Sequence, residues 1–137
     1  MPAKQFFDTN ILIYAFASND PRSARAESLI AEGGTIGVQV LNEFANVTRR
    51  KLCWQWEQIE ASLAVVEELF APVAPLTKDI HTRAVALARE HELPFYDALI
   101  VAAAQDAGCR TLFSEDLQHG QKFGTLTVEN PFRRAAD

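Results

Sequence analysis

Gln5-Phe6-Phe7-Asp8-Thr9-Asn10-Ile11-Leu12-Ile13-Tyr14 decides how the rest of the chain is read. Residues 5–7 are a short apolar strand that stops at Asp8, and residues 10–16 begin a helix. Strand, acid and helix within a dozen residues open a strand–helix alternation, and the same alternation continues downstream. Ser18-Asn19-Asp20-Pro21 breaks the first helix. Asp20 there is an N-cap with Pro21 at the first helical position. The next helix runs to about Glu32 with Ala26, Leu29 and Ile30 inward, and ends at Gly33-Gly34. A second strand is predicted over 35–38. A helix follows over 40–50, with Leu41, Phe44, Ala45 and Thr48 at helical spacing. Residues 57–70 form another helix, carrying Ile59, Leu63, Val66 and Phe70 on one stripe. A third strand covers 73–76. Thr77 caps a helix to about Glu92 with Ile80, Ala84, Leu87 and Ala88 inward, stopped by Pro94.

The helix over 96–107 is apolar nearly all round, which predicts burial, and Gly108 closes it. Strands over 110–113 and 126–128 complete the pattern, with a polar tail from about 131. The expectation is an α/β fold: one domain over 1–137, with a central mostly parallel sheet of four to five short strands flanked by helices. Ligands of such sheets bind beyond the carboxyl ends of the strands.

With 137 residues, 48% hydrophobic and 23% charged, the chain has the composition of an ordinary folded domain rather than a disordered, collagenous or disulfide-built one. Cys53 and Cys109 have no CxxC or Cys/His metal spacing and read as reduced thiols in or near the core. Met1-Pro2-Ala3-Lys4 has no signal-like pattern, and the longest apolar run, 98–104, is far below the ~20 residues of a membrane span. A soluble cytoplasmic protein is expected. The 18 acidic against 13 basic residues leave a net charge of −5, which at first sight argues against a nucleic-acid partner.

Where the acids sit matters more than their number. Asp8 and Asp116 follow strands. Asp97 opens the buried helix, and Glu43 lies within an otherwise apolar helical run. Around Asp97 the helical neighbours are Leu93, Pro94, Ile100 and Val101; around Glu43 they are Gln39, Val40, Asn46 and Val47. None is a cation. Asp79, by contrast, has Arg83 four residues on and reads as a helix ion pair. Each of the four acids alone has a plain structural reading: a helix cap, a dipole partner, a half-exposed side chain or a turn residue. Together they call for a positive partner, because burying a lone carboxylate costs several kcal/mol or forces protonation. Mg²⁺ or Mn²⁺ answers that need, and the lack of a His/Cys cluster makes zinc a poor fit. Two divalent cations add four positive charges to the −5, so the acidic balance is in part that of a metal site.

Phe6-Phe7-Asp8-Thr9-Asn10-Ile11-Leu12-Ile13-Tyr14, Asn42-Glu43-Phe44, Phe95-Tyr96-Asp97-Ala98-Leu99-Ile100 and Leu112-Phe113-Ser114-Glu115-Asp116-Leu117 resemble, in this order and spacing, the acidic motifs of PIN domains. The likeness is to the VapC-type toxins of toxin–antitoxin pairs. It implies a ribonuclease in which Asp8, Glu43, Asp97 and Asp116 line a Mg²⁺ or Mn²⁺ site and Ser114 supports the site. Glu115 is read as flanking. The resemblance further implies an RNA substrate, a small antitoxin partner and a homodimer. A non-catalytic RNA- or protein-binding module on the same fold is the alternative.

Haloacid-dehalogenase-type phosphatases want a second Asp where Asn10 stands, and response-regulator receivers want a Lys that Lys122 is poorly placed to be. Asp106, nine residues after Asp97, falls on the opposite side of the helix. His81, His91 and His119 are scattered. Trp54 and Trp56 are two residues apart and cannot both point the same way on a helix; the choice is core packing or an aromatic groove for a partner. Phosphate contacts are open to Arg49-Arg50-Lys51, Lys78, Arg110, Lys122 and Arg133-Arg134.

Overall fold

Phe7 sits at the centre of the core: its ring stacks on Phe113 at 5.7 Å and meets the edge of Phe70 at 5.8 Å. The structure, a computed structural model, describes residues 4–17 and 19–133. Expectations resting on residues 1–3, Ser18 and Arg134 lie outside the described residues. Four strands form one sheet: β1 (Gln5–Phe7), β2 (Thr111–Phe113), β3 (Lys122–Phe123) and β4 (Leu126–Glu129). Their order is β1-β2-β4-β3. β1 and β2 are parallel with Phe7 opposite Phe113, β2 and β4 are parallel, and β3 runs antiparallel to β4. Around the sheet lie α1 (Thr9–Phe16), α2 (Ser23–Ala31), α3 (Val38–Arg50), α4 (Trp56–Leu69), α5 (Lys78–His91) and α6 (Phe95–Asp106). The expected α/β architecture with a mostly parallel sheet is what the chain adopts.

Phe6, Phe7, Leu112 and Val128 are buried, as parallel strands covered on both faces require. Every residue of α6 from Ala98 through Ala104 is buried, in keeping with its all-round apolar surface. On α5, Thr77 accepts a hydrogen bond from the Ile80 amide at 3.2 Å, the expected cap. At Gly34 a Cβ would stand 2.3 Å from the Phe7 ring, so only glycine lets the chain pass this close to the core.

Several local expectations are corrected. The strands expected over 35–38 and 73–76 are each a single parallel bridge, Phe6 to Thr35 and Gly37 to Ala74. The first is cut short because α3 already begins at Val38. β3 was not expected, since two residues are too few to show a period. α2 begins at Ser23 rather than Pro21; Asp20 accepts from the Arg22 amide at 2.8 Å and makes a turn ahead of the helix. Asp79 and Arg83 make no ion pair among the described residues: both stay in solvent, where such a pair gains little. Cys109 is buried but Cys53 is exposed at positive φ, outside the core.

Candidate functional site

The register of β1 on β2 brings Asp8 next to Ser114, since each is the first residue past its strand. The Asp8 amide donates to the Phe113 carbonyl at 2.9 Å and closes the ladder there. Ser114 Oγ donates to Asp8 Oδ2 at 2.8 Å, and the Thr9 amide donates to Asp8 Oδ1 at 2.7 Å. Asp8 is therefore the N-cap of α1 as well as a strand-end acid; the two readings coincide in one residue. It is 4% exposed, and Ser114 is fully buried.

The other acids approach from three further elements. Glu43, in the second turn of α3, accepts from Thr9 Oγ1 at 3.2 Å. Asp116, two residues past Ser114, accepts from Asn10 Nδ2 at 3.0 Å. Asp97 lies in the first turn of α6, half-buried, with no hydrogen-bond donor reaching it among the described residues. No Lys, Arg or His nitrogen pairs with any of the four among the described residues.

Their electrostatics reflect that isolation. Burial first, then the charges of Asp97 and Asp116, push the Asp8 carboxyl up to about 6, against the opposing bonds from Ser114 and Thr9. Burial, followed by the charge of Asp8, pushes Glu43 up to about 7. Burial and Asp116 raise Asp97. The four thus share one field. As the side chains lie, no group of three or more His, Cys, Asp or Glu among the described residues is close enough to grasp one metal ion. Like charges keep such groups apart. The donors that meet here are oxygens, which suits a hard divalent cation.

Thr9 and Asn10 are the residues that sequence reasoning missed. Two polar side chains directly after Asp8, in a run that is otherwise apolar, are the signal that marks them. Each ties the β1–α1 turn to a carboxylate from a distant part of the chain.

Glu115 turns away to another cluster. Arg22 donates to Glu115 Oε2 at 2.8 Å and to both oxygens of Asp20 at 2.8 Å, and its guanidinium lies 4.0 Å over the Tyr14 ring. The Tyr14 hydroxyl donates to Glu115 Oε1. Hydrogen bonding to Arg22 holds Asp20 down at about 2, while burial and then Glu115 push Tyr14 up. Glu115 is held by Arg22 and Tyr14.

Of the remaining candidates, His81 and His91 pack against Phe95 and Phe123, and His119 Nδ1 accepts from the Asn130 amide. Asp106 is exposed. The tryptophans divide the two roles weighed for them: Trp54 packs on Phe44 at 6.1 Å, whereas Trp56 is 52% exposed with the Arg49 guanidinium 5.1 Å from its ring.

A family model described as the PIN domain matches residues 6–122. The chain belongs to the PIN domain family. This PIN domain also resembles solved structures. One is VapC20 of Mycobacterium tuberculosis, described as a Sarcin-Ricin loop cleaving toxin, at 22% identity and TM-score 0.69 over 82% of this chain and 92% of that one. A second is a toxin–antitoxin complex from Klebsiella pneumoniae, at 22% identity and TM-score 0.72 over 96% of this chain and 100% of that one. A third is VapBC2 of Rickettsia felis bound to a DNA fragment from their promoter, at 21% identity and TM-score 0.65 over 91% and 96%. At these identities the likeness is one of fold. No curated protein matches the chain. Among the described residues, no helix of the PIN domain is long and apolar enough to cross a membrane.

Ser114 gives a test of the geometry alone. Ser114→Ala removes the donor that lowers the Asp8 pKa and leaves the Leu117 amide, 3.3 Å from Ser114 Oγ, without its acceptor. The expected cost is about 1–3 kcal/mol of stability, with the Asp8 carboxyl titrating higher still. A thermal melt and an NMR titration of Asp8 check both. An Asp8 titration identical to the parent's would remove Ser114 from any positioning role.

Proposed function

We propose that this PIN domain is a Mg²⁺- or Mn²⁺-dependent endoribonuclease that hydrolyses RNA phosphodiester bonds at Asp8, Glu43, Asp97 and Asp116, and that it acts as the toxin of a toxin–antitoxin pair. One observation carries the reading: carboxylates from four separate elements share a field beyond the strand ends, with no cation among the described residues paired to any of them. A cluster that raises its own pKa values against no structural partner is costly to keep and typical of a working site.

Asp8, Asp97, Asp116 and Glu43 would hold the metal. Bound there, a divalent cation supplies Lewis acidity toward a phosphodiester and neutralises the carboxylates. The chain's own contribution is orientation. Ser114 and the Thr9 amide hold the two oxygens of Asp8, Thr9 Oγ1 steadies Glu43, and Asn10 steadies Asp116. Such partners of the ligand groups are worth roughly 10–100-fold in affinity or activity.

The toxin role draws support from the names of the M. tuberculosis and K. pneumoniae neighbours. A small antitoxin and a second copy of the chain are the proposed protein partners, and the cytoplasm the proposed location. Exposed Trp56, Val65 and Leu69 on α4 offer apolar surface to such a partner. The direct experiment is an RNA-cleavage assay on the full chain. Cleavage with Mg²⁺ or Mn²⁺ that stops in excess chelator is the expected result. No cleavage with either ion, or full cleavage in chelator, overturns the reading.

A further inference from the structure

Beside Glu43, the surface of α3 carries amides instead of the usual mix of charges. Gln39, Asn42, Glu43, Asn46 and Val47, with Tyr96 from the first turn of α6, line a cleft of about 330 Å³. Asn46 and Val47 also line a second cleft, of about 320 Å³, completed by Arg50 and Lys51. The two clefts therefore adjoin at Asn46 and Val47 on α3. Positions 39, 42/43, 46 and 50 follow one another at three- and four-residue steps, which is one face of a helix. Val40, Phe44 and Thr48 face the core from the other side. The face leads from the carboxylate Glu43 to the cations Arg50 and Lys51 over about 10 Å of helix.

Tyr96 is the unusual member. It is 61% exposed, the most open of the large apolar side chains among the described residues, and directly precedes Asp97. Phe95 next to it is turned inward against His81, at 5.5 Å. A helix buried from Ala98 through Ala104 thus begins with an aromatic ring left in water, next to Asp97 and in one cleft with Glu43. Asn42 bonds only weakly to Gln39, at 3.4 Å, so its amide is free to meet another partner.

We propose that this α3–α6 cleft is the base-binding subsite for single-stranded RNA. A base next to the scissile phosphate stacks on Tyr96, the Asn42 and Asn46 amides meet base edges, and Arg50 and Lys51 hold a neighbouring phosphate. Single-stranded RNA is recognised by stacking on aromatic rings and by hydrogen bonds to base edges, so a ring and amides in one cleft, with cations in the cleft that adjoins it, match its chemistry. The net charge of −5 strengthens the case, because a chain this acidic cannot rely on a general positive surface and must grip RNA locally. An arginine-bearing peptide segment of a protein partner is the competing occupant, drawn by Glu43 and the ring.

This inference deepens the nuclease reading and rests on it, but its test reads binding. The probe is a fluorescein-labelled, 2′-O-methylated single-stranded heptamer, which resists cleavage, titrated in Mg²⁺ with the full chain by anisotropy. Tyr96→Ala should weaken binding about 5- to 100-fold and Tyr96→Phe by no more than about twofold. The Arg50→Ala/Lys51→Ala double variant should flatten the slope of log affinity on log salt by about 1.4. Equal affinity of Tyr96→Ala and the parent overturns the subsite, as does a Tyr96→Phe variant as weak as Tyr96→Ala. Loss of affinity for an arginine-bearing decapeptide with RNA binding unchanged overturns it in favour of a protein partner. The two readings fail separately. A chain that cleaves RNA but binds it independently of Tyr96 keeps the nuclease and loses the subsite. A chain that never cleaves yet binds through Tyr96 keeps the subsite and loses the nuclease.

Discussion

Asp8→Asn should lower metal-dependent RNA cleavage by at least about 100-fold while making the metal-free protein melt higher at pH 8. The first effect follows from the place of Asp8, which is held at both oxygens, by Ser114 and by the Thr9 amide. The second follows from its cost. Asp8 titrates at about 6 in the folded chain against 3.8 for an ordinary Asp, so its ionised form opposes folding by on the order of 3 kcal/mol. The amide keeps the shape and the bond from Thr9, can donate to Ser114 Oγ, and carries no charge. For a chain of this size the gain is about 5–10 °C in melting temperature. RNA-cleavage rates and calorimetry on the same preparation check the pair. Parent-like cleavage removes Asp8 from the active site. An unchanged or lowered melting temperature means that the buried charge is not the burden described.

The metal-free protein should lose stability as pH rises from 5 to 8, and Mg²⁺ should give most of it back. The folded chain holds protons on Asp8 and Glu43 up to about 6 and 7, while an unfolded Asp or Glu releases them near 3.8 and 4.5. Between those limits the folded state binds more protons, so each step up in pH favours unfolding; above about 7 the penalty is complete. Below the unfolded values it vanishes. Asp97, also raised, acts in the same direction. Asp20, held down at about 2, works in the opposite direction, but only below its ordinary value of 3.8. A cation that binds only the folded chain stabilises it by about 2.7 kcal/mol at a hundred times its dissociation constant, and it competes with protons for the same oxygens. Melting curves at pH 5, 6, 7 and 8, with chelator and with Mg²⁺, are the measurement. A flat pH profile with no Mg²⁺ response would count against the coupled carboxylate cluster as a metal site.

How much of this was legible beforehand differs from residue to residue. Asp8 and Asp116 could be picked out because they follow strands, and Glu43 and Asp97 because neither has a cation at helical spacing; among the described residues none of the four has an ion-pair partner. The helices were legible because a 3.6-residue period has a dozen residues in which to repeat. The strands at 35 and 74 were overread, since three or four apolar residues cannot distinguish a strand from one bridge between loops and helices. β3 was missed for the same reason. Trp54 and Trp56 were known to diverge, but not which one would reach the core.

The sequence by itself determined the alternation of strands and helices and the burial of α6, and it singled out the four acids. All of these follow from local pattern: apolar period, caps, and the neighbours three and four residues away. Only the tertiary structure decided which side chains meet. Ser114 reaches Asp8 across 106 residues, Asn10 reaches Asp116 across 106, and Thr9 reaches Glu43 across 34. Those contacts come from the parallel register of β1 on β2 and from the packing of α3 beside the β1–α1 turn. Register arises from the whole buried face of a sheet fitting its neighbours, and no window of sequence contains it. Tyr96 is the clearest case. Its place beside Asp97 was plain from the chain, but its exposure in a cleft with α3 depends on how two distant helices pack.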